Sequence, residues 1–169
     1  DERILSELPK DDARVTFIYQ LLSKIQIILQ KNGKSLAVFH GEPKAIFEKL
    51  IQENKIKTVY TNHDYEPYAR KRDKEVNELF KDHQIEFKTS KDQVIFEKNE
   101  VVKDDGSPYV VYTPYSKKWK DAFSKIKLSY YNSEEKLDKI INHSYPFLSL
   151  KDIGFELSSI KVTPYKISN

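Results

Sequence analysis

Residues 62–73 decide the fold, and they read Asn62-His63-Asp64-Tyr65-Glu66-Pro67-Tyr68-Ala69-Arg70-Lys71-Arg72-Asp73. The apolar run directly before them, Thr58-Val59-Tyr60, is typical of a buried strand. The order therefore predicts a strand that ends, a polar turn, and a helix that begins near Tyr68. In open α/β sheets ligands bind outside the carboxyl ends of the strands, so this turn is the first place to expect a site.

Strand and helix patterns alternate on both sides of the turn. Pro43 stands near the first position of one helix, and Asn32-Gly33 is typical of the end of an earlier one. This alternation predicts an α/β fold with a Rossmann-like parallel sheet flanked by helices and right-handed crossovers. The predicted elements are helices over 13–31, from Pro43 and over 68–81, and strands over 35–40, 57–61 and 85–88.

The helix predicted over 13–31 has one broad apolar face and a capping carboxylate, Asp11 or Asp12, at its start. We expect the apolar face to pack on the sheet, so that Leu21 and Ile25 matter more for stability than Gln26. The residues of this face are Phe17, Ile18, Leu21, Leu22, Ile25, Ile28 and Leu29.

The pattern changes after the third predicted strand. Residues 92–115 are expected to form an irregular loop with a small hairpin, and Ser116 is expected to cap a short helix. That helix carries Trp119 and Phe123 at helical spacing, which favours a packing role for the tryptophan. Residues 127–169 show weak periodicity, and we expect a short helix near 133–142 within an extended linker that includes Pro146 and Pro164.

The composition excludes several classes of function. The chain has 169 residues, no cysteine and a formal net charge of +3, so disulfides, thiolate metal sites and cysteine nucleophiles are excluded. No run of 18 apolar residues suggests a membrane span, and Asp1-Glu2-Arg3 does not resemble a secretory signal. The four histidines lack metal-ligand spacing, and no glycine-rich phosphate loop is present. We expect a cytoplasmic protein that binds neither metal nor membrane.

Two blocks of sequence resemble the DNA photolyase and cryptochrome family. The first is the stretch 62–73, with the pattern Asn-x-Asp-x-Glu-Pro-Tyr followed by Arg72-Asp73. The second lies downstream and agrees in order and spacing: Asp92-Gln93-Val94-Ile95-Phe96, then Gly106-Ser107-Pro108-Tyr109, then 111–119 with Pro114 and Trp119. The resemblance covers about residues 10–125 and is closest to the N-terminal α/β domain of the family.

The resemblance implies a five-stranded parallel sheet in the order 3-2-1-4-5. The family's first two strands would precede the helix at 13–31, so the chain is expected to lack them and to leave two inner edges unpaired. It also implies a domain division. Residues 1–126 would form an N-terminally incomplete α/β domain and residues 127–169 an interdomain linker, while the family's FAD-binding helical domain would be absent.

The resemblance also implies an antenna-pigment pocket at the turn, with Asn62, Asp64 and Glu66 as candidate cofactor-binding residues. A carboxylate there could accept hydrogen bonds from the polar edge of a flavin or deazaflavin. A folate antenna is disfavoured, because the Asn-Glu pair of folate-binding members is replaced by Tyr68-Ala69. The alternative is that Asp64 and Glu66 are turn carboxylates that cap the next helix or pair with arginines.

The function implied by the resemblance is light-driven repair of pyrimidine dimers in DNA, with FAD held by the helical domain. This part would then serve as an antenna and scaffold domain, and no residue of it is assigned a catalytic role. Two alternatives remain open: a cryptochrome photoreceptor domain without repair activity, and a stand-alone nucleotide-binding α/β module.

Overall fold

The structure, a computed structural model, describes residues 1–127 and 129–161. The chain divides into two units, one formed by residues 1–46 with the part that begins at Tyr131, and the other by Phe47–Tyr130. No helix among the described residues is long and apolar enough to cross a membrane. The helices and strands are α1 (Glu2–Leu5), α2 (Ala13–Lys31), α3 (Pro43–Glu53), β1 (Thr58–Asn62), α4 (Pro67–Asp82), β2 (Glu86–Ser90) and α5 (Tyr112–Lys125).

The sheet consists of β1 and β2, which pair in parallel. The register runs from Thr58 opposite Glu86 to Asn62 opposite Ser90, so both strands end at the same level. Helix α4 connects them, because parallel neighbours need a crossover. Pro67 at its first turn has a fixed φ and no N–H to leave unpaired. The predicted α/β class, with a parallel sheet flanked by helices, is confirmed.

The prediction of a strand at residues 35–40 is wrong. This segment follows α2 without strand hydrogen bonds. A strand needs a neighbour, and the strands that the family order would place beside it are not among the described residues. Instead, the backbone N–H of Leu36 donates to Oε1 of Gln26, with 2.6 Å between the two atoms.

The exposed and buried sides of α2 also differ from the prediction. Gln26 is buried, whereas Ile25 and Ile28 are 40% and 47% exposed. The expectation that Ile25 is covered and Gln26 is not is therefore wrong, because periodic apolar residues identify one face of a helix but not which part of that face is covered. The ends of the helix follow the prediction, because Asp12 caps the start through the N–H of Arg14 and Asn32 is the C-terminal cap.

Two expectations for residues 92–116 need correction. The described residues there form no hairpin strands; a tight turn occurs instead, in which Gly106 N–H donates to Lys103 O at 2.9 Å. Gly106 has a φ of +79°, which glycine adopts without strain. Helix α5 begins at Tyr112, four residues before Ser116. Pro114 does not prevent this start, because the first turn of a helix needs no N–H from it.

The core of the unit 47–130 lies between α4 and the sheet. Phe80 is fully buried, and its ring meets Phe47 of α3 edge-on at 5.0 Å and Phe87 of β2 at 5.5 Å between centroids. Val76 and Ile85 are the other buried residues of this cluster. This packing fixes α4 on the sheet, and with it the turn that precedes the helix.

The other unit has its own small core around the first turn of α2. Val15 packs with Leu150 and Phe155, which lie beside a short 3-10 helix at Lys151–Ile153. A second 3-10 helix covers Ser133–Lys139, where a short helix was expected. The proposed division at residue 126 stays a prediction, and Pro164 lies outside the described residues.

Candidate functional site

The candidate site lies where β1 and β2 end. Asn62 and Ser90 are opposite each other at the last position of the two strands. One residue further, the N–H of His63 donates to the carbonyl oxygen of Ser90 at 2.7 Å. This bond extends the pairing beyond the sheet and places the turn at 62–66 beside the loop that follows β2.

A cleft of about 620 Å³ opens between the turn and that loop. Its volume falls within the range of small-molecule sites. Of the three candidate residues, Asn62 and Asp64 line it, whereas Glu66 is exposed and is not among the lining residues. The lining residues are Asn62, His63, Asp64, Tyr65, Arg70, Asp73, Thr89, Val94, Phe96, Glu97 and Lys98.

Asp64 stabilises its own turn. Its Oδ1 accepts the backbone N–H of Glu66 at 3.1 Å, which is the geometry of an Asx turn directly before α4. Asp64 therefore has the structural role in the turn that was the alternative to ligand binding. A carboxylate has about four acceptor positions, so this one bond leaves it able to accept from a ligand as well.

His63 is the site residue that sequence reasoning missed. Its Nε2 lies 2.8 Å from Oγ1 of Thr89 on β2, and its Nδ1 contacts Oε1 of Glu97. The same Glu97 oxygen accepts the phenol O–H of Tyr65 at 2.8 Å. The spacing of histidines in the sequence does not reveal this cluster, because its members are far apart along the chain. The only indication in the sequence that His63 belongs to the site is its position within the motif, next to Asn62.

These contacts change the acidity of two groups. The hydrogen bond from His63, followed by that from Tyr65, lowers the pKa of Glu97. Desolvation of the phenol and its hydrogen bond to Glu97 raise the pKa of Tyr65 to about 12. At neutral pH the cluster therefore holds an ionised Glu97 and a neutral Tyr65 phenol.

One wall of the cleft includes an aromatic side chain that is backed by α5. Phe96 lines the cleft and meets Trp119 edge-on, with 5.5 Å between ring centroids. Trp119 in turn stacks on Phe123 at 5.1 Å with an interplanar angle of 16°. Trp119 therefore packs against aromatic neighbours, as predicted, but it is half-buried and lies outside the buried core.

The basic residues of α4 form mostly ion pairs on the helix surface. Arg72 pairs with the adjacent Asp73 at 2.7 Å, and Lys71 lies 4.0 Å from Glu75. Arg70 is exposed and lines the cleft, where its guanidinium can donate to a ligand. Among the described residues no group of three or more His, Cys, Asp or Glu side chains could hold a metal ion.

Comparison with known proteins identifies the family. A family model described as DNA photolyase matches residues 2–135, and the chain belongs to this family. A deoxyribodipyrimidine photo-lyase from Synechococcus sp. (strain ATCC 27144) is 32% identical over 119 residues, which are 70% of this chain and 25% of that protein. An uncharacterized 31.6 kDa protein from Synechococcus sp. (strain PCC 6716) is 28% identical over 86% of this chain and 51% of its own length.

Solved structures show the same fold. A bacterial class III photolyase from Agrobacterium tumefaciens superposes with a TM-score of 0.58 at 25% identity, over 70% of this chain and 24% of that one. An archaeal photolyase from Sulfolobus tokodaii, described with two FAD molecules, superposes with a TM-score of 0.54 at 24% identity. The match covers 71% of this chain and 25% of that one. The chain thus spans about a quarter of the length of the photolyases that it matches.

Proposed function

We propose that this chain is the α/β part of a deoxyribodipyrimidine photolyase, which repairs pyrimidine dimers in DNA with light and works in the cytoplasm. The family match and the relatives named deoxyribodipyrimidine photo-lyase support this assignment. In this proposal FAD and damaged DNA are bound by a helical domain outside these 169 residues. No residue of this chain takes a catalytic role.

The role proposed for the chain itself is to hold an antenna pigment, a flavin or a deazaflavin, in the cleft at the ends of β1 and β2. The observation that carries this proposal is that two motif residues, Asn62 and Asp64, line a cleft that the aromatic ring of Phe96 also lines. When bound, FAD supplies electron transfer to the lesion, and an antenna pigment supplies additional light absorption.

The residues of the cleft fit such a pigment. A planar heterocycle needs an apolar face to lie on and polar partners at its edge, and here Phe96 and Val94 supply the first. At the edge, Asp64 can accept from a ring N–H and Arg70 can donate to a ring carbonyl. Glu66 is exposed and is not among the lining residues, so we assign pigment contact to Asn62 and Asp64 ahead of it.

The activity is tested with the full-length protein on DNA that contains thymine dimers. We expect dimers to be lost under near-ultraviolet or blue light and to persist in darkness, and the 169-residue chain alone to repair nothing. Full-length protein that binds FAD but repairs no dimers under illumination would contradict the photolyase assignment and favour a cryptochrome.

A further inference from the structure

A single carboxylate joins the two walls of the cleft. Glu97 belongs to the loop after β2, whereas His63 and Tyr65 belong to the turn after β1. Oε1 of Glu97 accepts from both of them, from Nδ1 of His63 and from the phenol of Tyr65 at 2.8 Å. Hydrogen bonds to an ionised acceptor are about twice as strong as neutral ones, so this oxygen is a firm connection between the walls.

The connection holds whether His63 is neutral or charged. An ionised carboxylate only accepts, so Nδ1 of His63 must carry the hydrogen. Nε2 then faces the hydroxyl of Thr89 at 2.8 Å, and a hydroxyl can either donate to a neutral ring or accept from a charged one. The surrounding charges are Lys91, which favours the ionised Glu97, and Glu100 and Asp92, which act on Tyr65.

The loop that carries Glu97 is held together by its own contacts. Lys91 pairs with Glu100 at 2.7 Å, and the Glu97 N–H donates to Oε2 of Glu100 at 2.5 Å. Phe96, the aromatic wall, is the direct neighbour of Glu97 and rests on Trp119. A shift of Glu97 relative to the turn therefore moves the Phe96 ring relative to Asp64.

We propose that Glu97 is a positioning residue of the pigment cleft, which sets the separation between the Phe96 wall and the Asp64 turn through His63 and Tyr65. The inference rests on the proposed pigment function. It adds a residue from outside the sequence motif to that site. Loss of the carboxylate should weaken pigment binding even though Asn62, Asp64 and Phe96 are all present.

The test uses the full-length protein as wild type, Glu97→Ala, Glu97→Gln and Glu86→Ala. Glu86 is a control on β2, exposed and paired with Lys88 at 3.0 Å away from the cleft lining. Riboflavin and 5-deazariboflavin are each titrated and followed by fluorescence polarisation. We expect Glu97→Ala to bind about ten-fold more weakly or worse, the scale of losing a hydrogen bond to a charged group. Glu97→Gln should recover part of the affinity, because its amide oxygen still accepts, and Glu86→Ala should match wild type.

A second readout follows the cluster without pigment. In ¹⁵N-histidine NMR spectra, the His63 signal is identified as the one that is missing from His63→Gln. In wild type this signal should show that Nδ1 carries the hydrogen. In Glu97→Ala the preference for hydrogen on Nδ1 should be lost. Loss of this signature with unchanged pigment affinity would overturn the positioning role, as would its absence from wild type. Failure of wild type to bind either pigment would overturn the pigment function itself, and this role with it.

Discussion

The side chain of Gln26 accepts a hydrogen bond from the backbone N–H of Leu36, with 2.6 Å between Oε1 and N. Gln26 is 5% exposed, although it occupies a position that the helical pattern assigns to the outside of α2. The bond ties the segment after α2 back onto the helix in the absence of strand partners among the described residues. It thus satisfies one backbone N–H of the segment that was predicted to be a strand.

Replacement of Gln26 should therefore destabilise the chain more than replacement of an exposed isoleucine on the same helix. We expect Gln26→Ala to cost about 1–3 kcal/mol, the scale of leaving a buried partner unsatisfied. Ile18, which is 55% exposed, is the control, and Ile18→Ala should cost about 0.5 kcal/mol. Urea unfolding of both variants measures the difference. A larger loss for Ile18→Ala would show that the apolar stripe, and not Gln26, is covered.

Phe80 should be the most sensitive position of the unit 47–130, because it is fully buried between two other phenylalanine rings. Phe80→Ala removes these contacts and leaves a cavity, at an expected cost of about 3–5 kcal/mol. Val110→Ala is the matched control at an 86% exposed position, with an expected change within about 0.5 kcal/mol. Equal midpoints of urea unfolding for the two variants would contradict the central place of Phe80 in this core.

The cap of α2 should make stability depend on pH in the acid range. The Arg14 guanidinium, with the backbone N–H of the same residue, lowers the pKa of Asp12 from its ordinary 3.8 to about 2. A folded-state pKa below the unfolded value means that the contribution is present above about pH 4 and is lost as pH falls through about 2.

The variant Asp12→Asn still caps the helix but does not titrate. We expect the stability difference between wild type and Asp12→Asn to shrink from pH 4 to pH 2, in thermal melts at fixed ionic strength. Arg14→Gln should reduce the same pH dependence, because it removes the ion-pair partner at 2.7 Å. A difference that is constant over this range would mean that Asp12 titrates alike in the folded and unfolded chain.

Local patterns in the sequence were sufficient to predict α2, α4 and the turn between β1 and α4. Asp12 as a cap and Pro67 at the first turn of α4 each act within a few residues, so a linear pattern contains them. The segment 35–40 has the composition of a strand, yet a strand forms only where a neighbour supplies hydrogen bonds. That condition depends on the rest of the sheet and is not visible in the segment.

The site residues likewise divide into those that a local sequence pattern identifies and those that only the fold brings together. Asn62 and Asp64 belong to one motif, and the end of β1 places both at the cleft. His63 and Glu97 are 34 positions apart, and their contact depends on the path of the loop after β2. Glu66 belongs to the same motif but lies outside the cleft lining, so membership of the motif alone does not identify the lining residues.

The most direct test of the account is the pigment content of full-length protein in three forms, wild type, Asp64→Ala and Glu66→Ala. Glu66→Ala is a close control, since it keeps the backbone N–H that Asp64 accepts and changes an exposed side chain two positions away. After reconstitution with FAD and 5-deazariboflavin or riboflavin, absorption spectra give the ratio of antenna pigment to FAD. We predict that Asp64→Ala loses most of the antenna band while Glu66→Ala and wild type retain it. Equal antenna bands in all three would contradict the assignment of the cleft.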